Sequence, residues 1–314
     1  MTPYKVKSPV LFLIFNRPDT TLRVFEQIRL AQPSVLYVAA DGPRPEKEGD
    51  AQLCKQAIEV LNGVDWNCTV KTLYRKENLG CKEAVSSAID WFFEHVEEGI
   101  ILEDDCLPSN SFFYFCDTLL EKYRHDTRIR HITGSNLQHG QTWGDASYYF
   151  SNLTHVWGWA SWRRVWKEYD KDLKRFDEQD VKYKLKNVFN DDFAIETWSR
   201  IFSEVKAGKI NTWDYQLTFL NFFSHGLSIN PNKNLISNIG FRPDATHTPD
   251  PDNLNSNIER QEIYTITHPE YFLPEKAADH FTLAQDFNLE ERWRRHNLLR
   301  RQFKRWLKLK IKSL

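Results

Sequence analysis

The chain has 314 residues, 41% of them hydrophobic and 27% charged, which is enough for one large α/β domain or two smaller ones with true cores. No run approaches the ~18 consecutive apolar residues of a membrane span, so an integral membrane protein is excluded from the expectation. The formal charge of −1 becomes −11 once the ten Lys and Arg of residues 292–314, a stretch without acids, are set aside; nucleic acid is therefore a poor partner for the remaining surface.

Five cysteines, at 54, 68, 81, 106 and 116, form no C-x-x-C pair, and an odd count points to a reducing compartment and core thiols. The segment Met1 to Val10 has no leader-like apolar core, so a cytoplasmic protein is expected, and the sequons at Asn67 and Asn152 carry no weight. An aromatic content of 14% suits either a heavily packed interior or a cleft that stacks on planar or sugar-like faces.

In chain order, Pro9 to Phe15 is an unbroken apolar run of strand length, and Asn16 to Thr21 after it opens a helix through Leu30. Ser34 to Ala40 is a second strand, closed by the turn Asp41-Gly42-Pro43, and Cys68 to Tyr74 a third. From about Cys81, Ala84, Val85, Ala88, Ile89, Phe92, Phe93 and Val96 recur at helical spacing and lead into a strand over Ile100 to Asp105. Strands without polar alternation, separated by amphipathic helices, predict a parallel sheet covered on both faces, with ligands beyond the carboxyl ends of its strands. Arg17, Asp41, Asn78 and the triplet Glu103-Asp104-Asp105 would then line one rim.

Further on, Phe112 to Tyr123 reads as a helix capped by Ser109 or Asn110, and His131 to Asn136 as a strand and turn. The segment His155 to Trp162 holds Trp157, Trp159 and Trp162, which would either pack a core or form a sugar-facing wall. Residues 167–192 read as a solvated helix with loops. Ile210 to Leu217 precedes an apolar helix through Phe223, Leu235 to Phe241 leads to Asp244 and His247, and 249–258 is loop composition. There are no internal repeats. A boundary near 285 would separate one domain (1–285, with halves 1–106 and 107–285) from the basic segment 286–314.

Three adjacent acids at the end of an apolar strand repel one another, so a hard cation or a set of hydrogen-bond donors is the expected counterpart; the plain alternative is a solvated acidic loop. Acids that hold Mg²⁺ or Mn²⁺, with a further acid far along the chain, suit displacement of a diphosphate leaving group, the distant carboxylate taking a proton from the attacking hydroxyl. Neither a P-loop motif nor G-x-G-x-x-G is present.

By these residues the chain resembles, over about 8–250, the GT-A glycosyltransferases, especially the inverting N-acetylglucosaminyltransferases of the N-glycan-branching type and their bacterial relatives. The resemblance implies a Rossmann-like, mostly parallel α/β sheet, a UDP-sugar donor, and a glycan or lipid-linked acceptor in surface polysaccharide synthesis. On that likeness Asp105 is the metal ligand, Asp104 contacts the ribose and Glu103 faces the donor sugar. Arg17 meets the diphosphate, Asp41 reads the base edge, and Asn78 lies near the base with Gly80 letting the helix begin close by. Asp214, beside Trp213, is the catalytic base, and Trp157-Gly158-Trp159 belongs to the acceptor side. His247 would complete the metal site or touch the diphosphate. Each position has a plainer role open to it: Arg17 pairing with Asp19, Asp41 as a turn residue, Asp214 as a helix cap, His247 as a loop histidine. Two rival functions are a sugar-1-phosphate nucleotidyltransferase, disfavoured because the Phe15 to Thr21 loop lacks glycine, and a non-catalytic carbohydrate- or membrane-binding protein.

The basic segment forms an amphipathic helix in projection. Leu299, Phe303, Trp306, Leu307 and Leu314 share one arc, and Arg294, Arg301, Lys304, Arg305, Lys308 and Lys312 the other. Such a helix suits an anionic membrane surface through residues 290–314 and a peripheral location on its inner face; docking on the domain or disorder is the alternative.

Overall fold

The computed structural model describes residues 2–242, 250 and 252–312. The chain begins with β1 (Val10–Ile14), α1 (Pro18–Ala31), β2 (Val35–Ala40), α2 (Asp50–Glu59), β3 (Thr69–Tyr74), α3 (Gly80–His95) and β4 (Glu98–Glu103). Then come β5 (Cys106–Pro108), α4 (Asn110–Tyr123), β6 (Ile129–Thr133), β7 (Tyr148–Ser151), β8 (Trp159–Trp162) and the single-turn α5 (Arg163–Trp166). The remainder is α6 (Glu178–Lys184), α7 (Asp192–Lys206), α8 (Asp214–Phe223), β9 (Leu227–Pro231), β10 (Ile236–Asn238), α9 (Lys276–Asp286) and α10 (Leu289–Lys312).

The central sheet has the order β3-β2-β1-β4-β8-β6-β9-β7. The pairs β1–β2, β2–β3, β1–β4 and β6–β9 are parallel, whereas β8 and β7 run against their neighbours. The expected α/β class with a mostly parallel sheet therefore holds. Helices cover both faces, and β1 explains how. Val10, Phe12 and Ile14 join Val24, Phe25 and Ile28 of α1 and the phenylalanines of α4, while Leu11 and Leu13 join Ala88, Ile89 and Phe92 of α3 on the other side. A strand buried on both faces has no polar alternation to show in its sequence. Of the two edge strands, β3 is mostly exposed and β7 is buried.

A second apolar cluster joins α6 to α10, centred on Trp198, Phe202, Phe222 and Leu289. The solvated helix expected over 167–192 is in fact α6 and loops, with Val181 and Leu185 buried in this cluster, and α7 continues beyond it. The charged residues that suggested full solvation lie on the outer faces of helices whose inner faces are apolar. All five cysteines are free; Cys54, Cys106 and Cys116 are buried as core thiols, whereas Cys68 and Cys81 are only half-buried.

The chain leaves β1 outward through β2 and β3, then returns to add β4 on the opposite side of β1. That reversal opens a crevice beyond the carboxyl ends of β1, β2 and β4.

Candidate active site

A cavity of about 430 Å³ fills this crevice. Its walls are the last residues of β1, β2 and β4, the first turns of α3 and the segment that leads into α8. Arg17, Asp41, Asn78, Gly80, Glu103, Asp104, Asp105, Trp157, Trp213 and Asp214 all line it, so the fold brings together ten of the residues singled out in the sequence.

The acidic triplet is split by the end of β4. Glu103 is the last strand residue and Asp104 and Asp105 form the turn into β5, so the expected strand over Ile100 to Asp105 stops two residues early. Burial drives the Glu103 carboxyl well above the usual carboxylate range, and the charges of Asp105, Asp104 and Asp214 add to the effect. Asp104, 7% exposed, accepts the Phe15 amide at 3.2 Å and is raised by burial to about 7, with Arg17 acting in the opposite direction. Asp105 is held differently: Arg17 Nη1 donates to its Oδ2 at 2.8 Å, and the Cys106 thiol faces Oδ1 at 3.4 Å. Arg17 thus pairs with Asp105 and not with Asp19, whose partner is Arg242.

Asp105 is fixed from a distant part of the chain. β10 pairs antiparallel with β5, Asn238 opposite Cys106, and the Ile239 amide donates to the Asp105 carbonyl at 2.8 Å. Gly240 then passes so close that a Cβ there would lie 2.2 Å from Asp105 Oδ2. Only glycine allows that approach.

Asp41 ties the β2 end to the loop before α3. Its carboxylate accepts the amides of Gly42 and Leu79 at 2.9 Å, the Gly80 amide at 3.1 Å and Asn78 Nδ2 at 2.9 Å. Burial raises its proton affinity while those amides oppose the rise. The turn role and the pocket position coincide in one residue, since its oxygens are bonded to the loop that forms the cavity wall. Asn78 also donates to the Gly42 carbonyl at 2.9 Å, and Gly80 opens α3 with φ +77°.

Asp214 starts α8, and Thr212 Oγ1 donates to its Oδ1. It is more than a hundred residues from the triplet in sequence, yet its charge bears on both Glu103 and Cys81. Trp213 is 3% exposed and stacks on Trp159, with ring centroids 5.7 Å apart and planes 23° from parallel.

The acceptor-side reading of Trp157-Gly158-Trp159 needs correction at Gly158 and Trp159, while Trp157 stays at the cavity. Trp157 lines the cavity and meets Phe241 edge-on, at 5.6 Å. Trp159 is a β8 residue, 1% exposed, stacked between His131 and Trp213, and is core. Gly158 has φ +59°, and a Cβ would lie 2.5 Å from Ile236 Cδ1; its role is close packing. Trp157 lies before β8, and Gly158 between the two tryptophans takes a left-handed φ, so the backbone turns there and the strand's two-residue repeat does not carry Trp157 onto the face of Trp159. His247 and Asp244 fall outside the described residues.

Phe15, Arg44, Arg75, Asn211 and Asn238 also line the cavity and were not anticipated. Arg75 directly follows β3, the same strand-end position that marked Arg17 and Asp41, so the rule that found those would have found it. Asn211 accepts the Lys82 amide at 3.1 Å across 129 residues, a contact that no local pattern announces.

Among the described residues no three His, Cys, Asp or Glu side chains are grouped to hold a metal ion. Mg²⁺ and Mn²⁺ sites that share a substrate diphosphate need only one or two protein carboxylates. The crowded acids here, two of them with raised proton affinity and with Arg17 the guanidinium bonded to Asp105, suit an added cation.

No family model matches the sequence, and curated proteins give no match to it. Among solved structures the chain is similar to HddC from Yersinia pseudotuberculosis, at 11% identity and a TM-score of 0.32, over 52% of this chain and 80% of that one. It is similar to a UDP-glucose pyrophosphorylase complexed with UDP-glucose, at 10% identity and 0.31, over 52% and 81%. It is also similar to 4-diphosphocytidyl-2C-methyl-D-erythritol synthase from Anaerococcus prevotii, at 10% identity and 0.30, over 69% and 98%. What the cavity can do is decided by its own side chains.

Proposed function

We propose that this protein is an inverting glycosyltransferase of GT-A type, moving a sugar from a nucleoside-diphosphate donor, UDP-sugar by preference, to a hydroxyl of a glycan or lipid-linked acceptor. One observation carries the reading: Asp214, from α8, shares a single cavity with Arg17 and the Glu103-Asp104-Asp105 turn, at the switch point of a parallel sheet. That arrangement supplies a carboxylate separate from the acids that would meet a diphosphate.

In this reading Asp214 takes the proton of the acceptor hydroxyl as its oxygen attacks the anomeric carbon. Thr212 holds one Asp214 oxygen and leaves the other for that proton. Arg17 binds the diphosphate through its remaining donors, and Glu103 and Asp104 face the donor sugar and ribose. Asp41, through Asn78 and the Leu79 and Gly80 amides, shapes the wall against which the base lies. Asp105 would hold Mn²⁺ or Mg²⁺, which when bound offsets charge on the leaving diphosphate. Trp157 offers an indole face to the acceptor.

The deciding experiment is a panel of nucleotide sugars, each with Mn²⁺, Mg²⁺ or chelator, read as release of nucleoside diphosphate. Metal-dependent release from one donor, accelerated by a sugar acceptor, is the expected result. Pyrophosphate formed from a nucleoside triphosphate and a sugar 1-phosphate, with no diphosphate release, would overturn it in favour of nucleotidyl transfer.

A further inference from the structure

Helix α10 divides into two parts. Its first two turns are docked on α7. Leu289 is 1% exposed, Arg292 donates to the Phe193 carbonyl at 3.3 Å and to Thr197 Oγ1 at 2.5 Å, and the Trp293 indole donates to Asp191 at 2.7 Å. From Asn297 to Leu309 every residue is exposed, including Leu299 at 66%, Phe303 at 59% and Leu309 at 70%. Docking on the domain, one of the sequence-based alternatives, holds for the first turns only.

At ~100° per residue the exposed part sorts into two halves. Leu298, Leu299, Phe303, Trp306, Leu307 and Leu309 fall on one, and Arg300, Arg301, Lys304, Arg305 and Lys308 on the other. The Phe303 and Trp306 rings stack at 5.7 Å on the apolar half. Among the described residues no carboxylate pairs with those five cations, whereas the two acids of the first turn, Glu290 and Glu291, are taken by Arg294 and Arg295. An apolar half of this size held in water, backed by an unneutralised cationic half, matches a surface that is itself apolar below and anionic above. A second copy of the helix would satisfy the leucines but set like charges together, and nucleic acid would satisfy the cations but not the leucines.

We propose that α10 seats the protein on an anionic phospholipid bilayer, with Leu299, Phe303 and Trp306 in the acyl boundary and the cationic half among the phosphates. Among the described residues no helix is long and apolar enough to cross a membrane, and α10 is asked only to lie in the interface. The exposed turns continue the same helix whose first turns are bonded to α7, so the proposed membrane face is tied directly to the domain. This inference is independent of the transferase reading, and its test uses no substrate.

Co-sedimentation of the full chain with phosphatidylglycerol vesicles and with phosphatidylcholine vesicles, at low and high salt, tests it. Binding to the anionic vesicles alone, weakened by salt, is expected. Replacing Leu299 and Phe303 together by Ser should weaken binding at least ten-fold, and each of Arg301→Gln and Arg305→Gln roughly five-fold. All these side chains are exposed, so the thermal midpoint should not move and would expose any folding defect. No binding to anionic vesicles would overturn the proposal. So would undiminished binding by the double Ser variant, which would reduce the contact to charge alone, or a dimer in sedimentation velocity that the same variant abolishes.

Discussion

Arg17 Nη1 lies 2.8 Å from Asp105 Oδ2, with both side chains largely buried, at 19% and 15% exposure. The guanidinium comes from the loop after β1 and the carboxylate from the turn after β4, so the pair closes the floor of the crevice between adjacent parallel strands. Burial works against the charge on Arg17, but Asp104 and Asp105 outweigh it and hold the group protonated. The proposed phosphate-binding cation and the proposed metal-holding anion are therefore each other's partner in the free protein.

Separating the two tests both assignments. Arg17→Ala should lower affinity for a nucleoside diphosphate at least ten-fold, because it removes a diphosphate donor and leaves Asp105 without its ion pair. Asp105→Asn should instead abolish the gain in affinity that Mn²⁺ brings. Calorimetry with and without Mn²⁺ checks both; an equal Mn²⁺ effect in wild type and Asp105→Asn removes Asp105 as the metal holder.

Asp214→Asn keeps the shape of the α8 start and the bond from Thr212 while losing the base. Turnover should fall by roughly 10²-fold or more with nucleotide affinity unchanged. Near-normal turnover would leave Asp214 as only the opening residue of its helix.

Two glycines guard the geometry by close approach. Gly240→Ala would drive a Cβ into Asp105 Oδ2 and should weaken metal-dependent nucleotide binding before it weakens the fold. Gly158→Ala meets both the +59° φ and the Ile236 side chain, and should cost about 1–3 kcal/mol of stability in urea unfolding. The opposite order of effects would mean that Gly240 serves packing alone.

The loop after β2 depends on Asp50, which accepts Asn16 Nδ2 at 2.6 Å and both the amide and the guanidinium of Arg44. The Arg44 bond leads in lowering the Asp50 carboxyl to about 2. A depressed acid stabilises the fold above its unfolded value of ~4, and that contribution is lost as pH falls through the folded value. Asp50→Asn should cost about 1–3 kcal/mol at pH 7 and narrow its gap to wild type below pH 3, read by denaturant titration at both pH values. A gap that stays constant across that range would remove the ion pair as its source.

The sequence by itself determined the strands that bury both faces, because an apolar run of five or six residues between amphipathic helices has few other uses. It also located the strand-end residues Arg17, Asp41 and Glu103, since in a parallel sheet a ligand crevice opens beyond those ends. It could not determine β8, where the Trp157 to Trp159 segment offered aromatic content but no register; pairing with β4 and β6 decided that Trp159 turns into the core. Only the tertiary structure joined Asn211 to the start of α3, Gly240 to Asp105 and α10 to α7 by its first turns. Those contacts span long loops, and which distant segments meet is set by the packing of whole layers rather than by any local pattern.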